Sequence, residues 1–272
     1  MTDSRPKPVR FGDLGVRLAS GLAILAVALA GVWAGGLWAL ALGLALLLLL
    51  LWELHRMVTG DQGFAAPAML VLAAAAAASA IATHAGLPML ALALLLAGAA
   101  VLVPFAGRRA VFLGGGLVYM GGAVSALLAL RAEAPDGLAV VLWLVFVVVA
   151  ADVGAYFVGR SLGGPRLWKR VSPGKTWSGA LGGLLAAGLA GLVCALLAGW
   201  PPLRVLSISI GVGIASQCGD LLESALKRHF GIKDSSRLIP GHGGVMDRLD
   251  ALMGGALFYA VLRFLGIAVS GT

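Results

Sequence analysis

Charge is scarce in this 272-residue sequence: Asp, Glu, Lys and Arg together make up 12% of it, about half the share found in an ordinary soluble domain. With 60% hydrophobic residues and a mean hydropathy of +1.00, the chain lacks the polar groups needed to cover a water-soluble surface. The composition is that of an integral membrane protein. Cysteine is nearly absent too. Cys194 and Cys218 sit inside apolar runs and are too few for a disulfide framework. Acids are outnumbered by bases, 12 against 20, for a net charge of +8. That excess needs no nucleic acid to explain it, because membrane topology and anionic headgroups account for it. No stretch reads as a soluble domain, a long linker or a repeat, and the alanine-rich segment near residues 72–82 is a span whose small residues allow close helix packing.

What is present is apolar length. A helix crossing a bilayer needs about 20 predominantly apolar residues, and nine such runs fall near 16–33, 36–53, 64–84, 87–105, 111–130, 136–159, 178–199, 203–226 and 250–269. The expected fold is an all-α, polytopic membrane bundle of about nine transmembrane helices. "AGGL" between the first two runs is the place where a hairpin or partial crossing would alter that count. The first run continues directly into a second, so it reads as a signal anchor and not as a cleaved signal peptide. With the N-terminus in the cytoplasm, every Lys and Arg falls on the inner side except Arg131, Arg204 and Arg263, as the positive-inside rule expects. The organisation read this way is a basic cytoplasmic segment 1–15, N-terminal spans 16–135, and a C-terminal catalytic region 136–272 with cytoplasmic loops 160–177 and 227–249.

Polar groups at membrane depth are costly and mark sites or pathways. Asp152, Tyr156 and Arg160 recur one turn apart toward the inner end of the sixth run. Asp220, Glu223, Ser224 and Lys227 form one stripe of the eighth. Between that stripe and the last run lies "KRHFGIKDSSRLIPGHGGVMDR", which carries Lys227, Arg228, Lys233, Arg237 and Arg248 beside Gly241, Gly243 and Gly244. Glycines that let backbone N–H groups approach an anion, surrounded by cations, suit a polyphosphate. Asp247 and Asp250 share a helix face, and with Asp220 they offer three carboxylates for a hard cation such as Mg²⁺. His242 is a candidate phosphate donor or acid–base group. His55, His84 and His229 read as incidental. The loop "GGPRLWKRVSPGKTWSG" adds Arg166, Lys169, Arg170 and Lys175; its GKT lacks the upstream glycine and the preceding strand of a phosphate-binding P-loop. Two readings stand at this point, a membrane enzyme acting on a nucleotide or lipid phosphate with a divalent metal, and an ion-coupled transporter using its buried Asp and Glu. Concentration of the polar groups at the inner ends of the last four spans favours the enzyme.

From Ser224 to Asp250, "SALKRHFGIKDSSRLIPGHGGVMDRLD" resembles the signature of the phosphatidate cytidylyltransferases, or CDP-diacylglycerol synthases. The Asp152, Tyr156, Gly159 and Arg160 pattern and "SPGKT" resemble upstream elements of that family, so the likeness covers roughly the C-terminal half. Ser178 stands where the family has a Glu after SPGKT. The resemblance implies that CTP and phosphatidate give CDP-diacylglycerol and pyrophosphate, in phospholipid biosynthesis at a bacterial inner membrane. It implies Mg²⁺ on Asp220, Asp247 and Asp250, with those three and His242 in catalysis. Substrate binding would fall to Asp152, Tyr156, Lys175, Ser224, Lys227, Arg228, Lys233, Asp234, Arg237, Gly243, Gly244 and Arg248. A homodimer and a monovalent cation such as K⁺ beside the Mg²⁺ are further implications.

Overall fold

The computed structural model describes residues 11–239 and 243–270, with side chains described from residue 21 onward, Leu25 excepted. Nine α-helices run through the described residues: α1 Phe11–Ala34, α2 Gly36–Thr59, α3 Pro67–His84, α4 Pro88–Ala106, α5 Ala110–Ala132, α6 Gly137–Leu162, α7 Trp177–Ala198, α8 Pro202–His229 and α9 Met246–Phe264. Their ends follow local chemistry. Pro67, Pro88 and Pro202 occupy first helical positions, where a missing N–H costs nothing. The α1–α2 break at "AGGL" is a true turn, since Gly35 has φ 66 and Gly36 φ 49, a backbone region other residues resist.

The chain is an all-α polytopic membrane protein. Among the described residues, six segments are long and apolar enough to cross a bilayer, and one of them, 88–132, contains both α4 and α5. Polar α9 is not among the six: it carries Asp247, Arg248, Asp250 and Arg263. The outer faces of the helices are lined by exposed side chains such as Leu185, Leu189 and Leu196, as a lipid surface requires. Inside, one core packs Leu47, Leu50, Leu54, Leu72, Leu95 and Leu117 from α2–α5, and a second packs Trp143, Leu144, Val205, Val212 and Tyr259 from α6, α8 and α9. Polar side chains within the bundle find partners on neighbouring helices: Trp143 Nε1 donates to Ser209 Oγ at 3.1 Å, and Ser79 and Ser125 share a hydroxyl bond at 3.2 Å.

One element departs from the all-α expectation. A small antiparallel hairpin, β1 Arg166–Trp168 and β2 Ser172–Thr176, fills most of the loop expected at 160–177, so the GKT residues lie in a strand. Val171 is buried and Thr176 caps α7 by accepting from Gly179 N at 3.1 Å, a side-chain N-cap that fixes where the strand stops. Ser178, the residue that departs from the family pattern, donates to Gly163 O and bonds Thr176 Oγ1 at 3.0 Å. It ties the hairpin to the end of α6. The loop expected at 227–249 is likewise shorter, because α8 continues to His229 and α9 begins at Met246.

Candidate active site

Small residues bring the site together. On α6 and α7, a Cβ at Gly179 would stand 2.8 Å from Ala155 O, and one at Gly183 would stand 2.7 Å from Ala151 O. Glycine alone allows that approach. On α8 and α9, Gly219 faces Gly254: a Cβ at Gly219 would meet Asp250 O at 2.5 Å, and one at Gly254 would lie inside contact distance of Ala215 O. The backbones of α8 and α9 therefore touch beside Asp220 and Asp250. Asp152, Asp220 and Asp250, from three helices, lie close enough to feel one another's charge.

Next to them opens a cavity of about 680 Å³ between α6, the hairpin, α7 and α8. Asp152, Tyr156, Arg160, Arg166, Lys175 and Asp220 give it its polar character. Lys175 Nζ lies 2.5 Å from Asp220 Oδ2, with side chains 27% and 29% exposed. Ser224 Oγ donates to Asp220 Oδ1 at 3.3 Å, and Arg160 Nη1 donates to the Tyr156 hydroxyl at 3.2 Å. The cavity is large enough for a drug-sized ligand, and it combines cations with carboxylates at the end of an apolar bundle.

A second polar cluster, built on Glu223 and Lys227 farther along the same α8 stripe, is more deeply buried. Lys227 Nζ stands 2.6 Å from Asp247 Oδ1 and 2.9 Å from Glu223 Oε1. Asp247 Oδ2 also accepts from Ser235 N at 3.0 Å and Gly244 N at 2.9 Å, with Ser235 Oγ at 3.0 Å. Asp247 sits in the first turn of α9, ahead of the apolar run. Burial there pushes its carboxyl up, but Lys227 and the Gly244 and Ser235 N–H groups outweigh burial and hold it below the ordinary carboxylate range.

The sequence-predicted residues thus divide. Asp152, Tyr156 and Lys175 line the cavity, Asp220 and Ser224 meet at its edge, and Asp250 is in charge range of it. Lys227 and Asp247 belong to the buried cluster. Gly244 spends its N–H on Asp247, while Gly243, at φ 85, closes a backbone bridge in which Ile239 N donates to Gly243 O at 2.9 Å. Arg228 is exposed and reaches the backbone carbonyls of Val171 and Ile232, each at 3.4 Å. Lys233, Asp234 and Arg237 belong to the loop that follows α8, and Arg248 is exposed on the first turn of α9. His242 lies outside the described residues.

As a donor set for Mg²⁺, the carboxylates Asp152, Asp220 and Asp250 have the right hard-oxygen chemistry. Among the described residues no three His, Cys, Asp or Glu side chains already converge as ligands around one point. Asp247 is already paired with the Lys227 ammonium.

Glu53 is the residue that sequence reasoning passed over. It is fully buried on α2, and its carboxylate accepts from Ser236 Oγ at 2.5 Å, Met246 N at 2.7 Å and Val245 N at 2.9 Å, with Ser235 Oγ at 3.1 Å. The signal was a lone acid in "LLLLLLWELHR", which is a charge inside an apolar run. His55, read as incidental, is buried on the same helix with an unpaired Nδ1.

The sequence pattern of the Cytidylyltransferase family matches residues 15–265. Phosphatidate cytidylyltransferase of Brucella suis biovar 1 (strain 1330) is 49% identical over 145 residues, 52% of this chain and 53% of the relative. The protein of that name from Bacillus subtilis (strain 168) is 38% identical over 138 residues, 50% of this chain and 51% of the relative. The one from Haemophilus influenzae is 42% identical over 143 residues, 47% of this chain and 46% of the relative. The aligned stretch spans about half the length of these curated relatives. A match across nearly the whole chain, on a helical membrane bundle with a charged cavity at one end, makes this chain a member of the Cytidylyltransferase family.

Proposed function

We propose that the protein is a membrane-embedded phosphatidate cytidylyltransferase, converting CTP and phosphatidate to CDP-diacylglycerol and pyrophosphate. The observation that carries this reading is the cavity in which Lys175, Arg160 and Arg166 stand with Asp152 and Asp220 at one end of an apolar bundle. A soluble triphosphate and a lipid phosphate must meet at such a depth. The relatives' names support the choice of substrates and leave the transporter reading without support.

In the reaction, an oxygen of the lipid phosphate attacks the α-phosphorus of CTP and pyrophosphate leaves. The phosphate monoester has a second pKa near 6 and is ionised at neutral pH, so no strong base is needed. Catalysis rests on alignment and on neutralising the growing charge of the leaving group. Lys175, Arg160 and Arg166 supply cations facing the cavity, and Arg228, Lys233 and Arg237 extend the basic surface along the loop. In this reading Asp220, Asp247 and Asp250 would hold Mg²⁺, with K⁺ as a second cation, and the bound Mg²⁺ would neutralise phosphate charge. His242 positions substrate through hydrogen bonds. Nine crossings, a cytoplasmic N-terminus with loops 163–176 and 230–245 on the same side, a bacterial inner membrane and a homodimer complete the proposal.

The test is pyrophosphate release by the purified full chain in mixed micelles. Release should require CTP, phosphatidate and a divalent cation together. Release without phosphatidate, or none with any divalent ion, would contradict the reading.

A further inference from the structure

We propose that Glu53, on α2, is a positioning residue for the site at the start of α9, a role that rests on the cytidylyltransferase reading above. Four donors converge on its two oxygens, two on each. Ser236 Oγ at 2.5 Å and Val245 N at 2.9 Å reach Oε1, and Met246 N at 2.7 Å and Ser235 Oγ at 3.1 Å reach Oε2. Val245 is the N-cap of α9 but has no capping side chain of its own, and Met246 is the first helical residue. Their N–H groups are among those that a helix start leaves without partners. Glu53 is thus the cap of α9, supplied from a different helix 192 residues before Val245 in sequence and placing negative charge at the positive end of the helix.

The arrangement reaches the chemistry through one hydroxyl. Ser235 Oγ lies between Glu53 Oε2 at 3.1 Å and Asp247 Oδ2 at 3.0 Å, with a single hydrogen to share. Asp247 in turn holds Lys227 at 2.6 Å. The space around the clamp is filled: a Cβ on Gly244 would stand 2.6 Å from Glu53 Oε1 and 2.9 Å from Oε2. Only an acceptor at both oxygens satisfies this set, and an ionised carboxylate is acceptor-only whereas an amide turns one acceptor into a donor facing donors. Glu53 accordingly fixes where Asp247 stands relative to Lys227 while touching no substrate itself.

Two readouts on the full chain in detergent test this, one independent of activity. In Glu53→Gln, hydrogen exchange at the Val245 and Met246 amides should rise at least about tenfold, as expected when charge-assisted bonds are lost, while α6 amides keep wild-type rates. Per folded molecule, kcat should fall at least about tenfold and the KM for CTP should change by less than about threefold. Glu53→Asp, one methylene short, should restore neither. Should Glu53→Gln not fold, Ser236→Ala removes one donor only and should raise exchange at the same two amides by about threefold. Unchanged exchange at Val245 and Met246, or an unchanged kcat per folded molecule, overturns the proposal. A wild-type chain that makes no CDP-lipid refutes the assigned reaction instead, and the exchange measurement still decides the clamp.

Discussion

Lys175 Nζ stands 2.5 Å from Asp220 Oδ2 and so joins the β-hairpin to α8 across the mouth of the cavity. Both groups are about a quarter exposed, so the pair is open to a ligand and contributes little to stability. A triphosphate arriving there would take the Lys175 ammonium and leave Asp220 free for a cation. Lys175→Gln should therefore lower kcat/KM for CTP at least about tenfold, about 1.4 kcal/mol of transition-state stabilisation, with a melting temperature close to wild type. Steady-state kinetics and thermal unfolding in the same detergent check it; a variant with wild-type kinetics would remove Lys175 from the site.

Asp220 and Asp247 should part company in stability. Asp247 and Lys227 are 9% and 13% exposed, and Asp247 also receives the Ser235 and Gly244 N–H groups. Asp247→Asn should cost about 3–5 kcal/mol as a broken buried pair, against about 1 kcal/mol or less for Asp220→Asn. Both should lose most activity. Equal shifts in thermal unfolding would mean that the two clusters are not distinct.

The crossing of α8 and α9 depends on the absence of a side chain at Gly254. Gly254→Ala drives a methyl into Ala215 O and should cost about 1–3 kcal/mol as overpacking, together with activity, since Asp220 and Asp250 flank the contact. Gly115→Ala, on α5 with nothing within 4 Å of the added carbon, should be neutral or stabilising by up to about 1 kcal/mol. Unfolding midpoints of the two variants decide it.

Orientation is tested by labelling. In a background with Cys194→Ser and Cys218→Ser, a membrane-impermeant maleimide should modify Lys169→Cys and Lys233→Cys from the cytoplasmic face and Ala134→Cys from the opposite face; all three positions are exposed. Ser236 is unsuitable because it is buried against Glu53. Labelling of position 233 from outside would separate the site from cytoplasmic CTP.

The helices were legible because the bilayer imposes a simple rule: long apolar runs recur, and proline and glycine mark their ends. The α8 stripe from Asp220 to Lys227 was legible for the same reason, as helical spacing puts those residues on one face and Lys227 does bond Glu223 one turn away. Pairings across the chain were not. Spacing cannot show that Lys175 meets Asp220 or that Glu53 caps α9, because those contacts depend on how helices cross at Gly179, Gly219 and Gly254. The hairpin escaped notice because a polar loop rich in Pro, Gly and Lys carries no alternating pattern. Family likeness drew attention to the C-terminal half and away from Glu53, although a lone carboxylate among leucines was visible in the sequence.

The reaction itself is tested most directly by following the α-phosphorus. CTP radiolabelled at that atom, incubated with the purified chain, phosphatidate and Mg²⁺, should pass its label into the organic phase as CDP-diacylglycerol, while CTP labelled at the γ-phosphorus should leave its label in water as pyrophosphate. Lys175→Gln and Asp220→Asn should each cut the α-label transfer at least about tenfold. Retention of the α-label in water as CMP or CDP, or appearance of the γ-label in the lipid, would contradict a cytidylyltransferase.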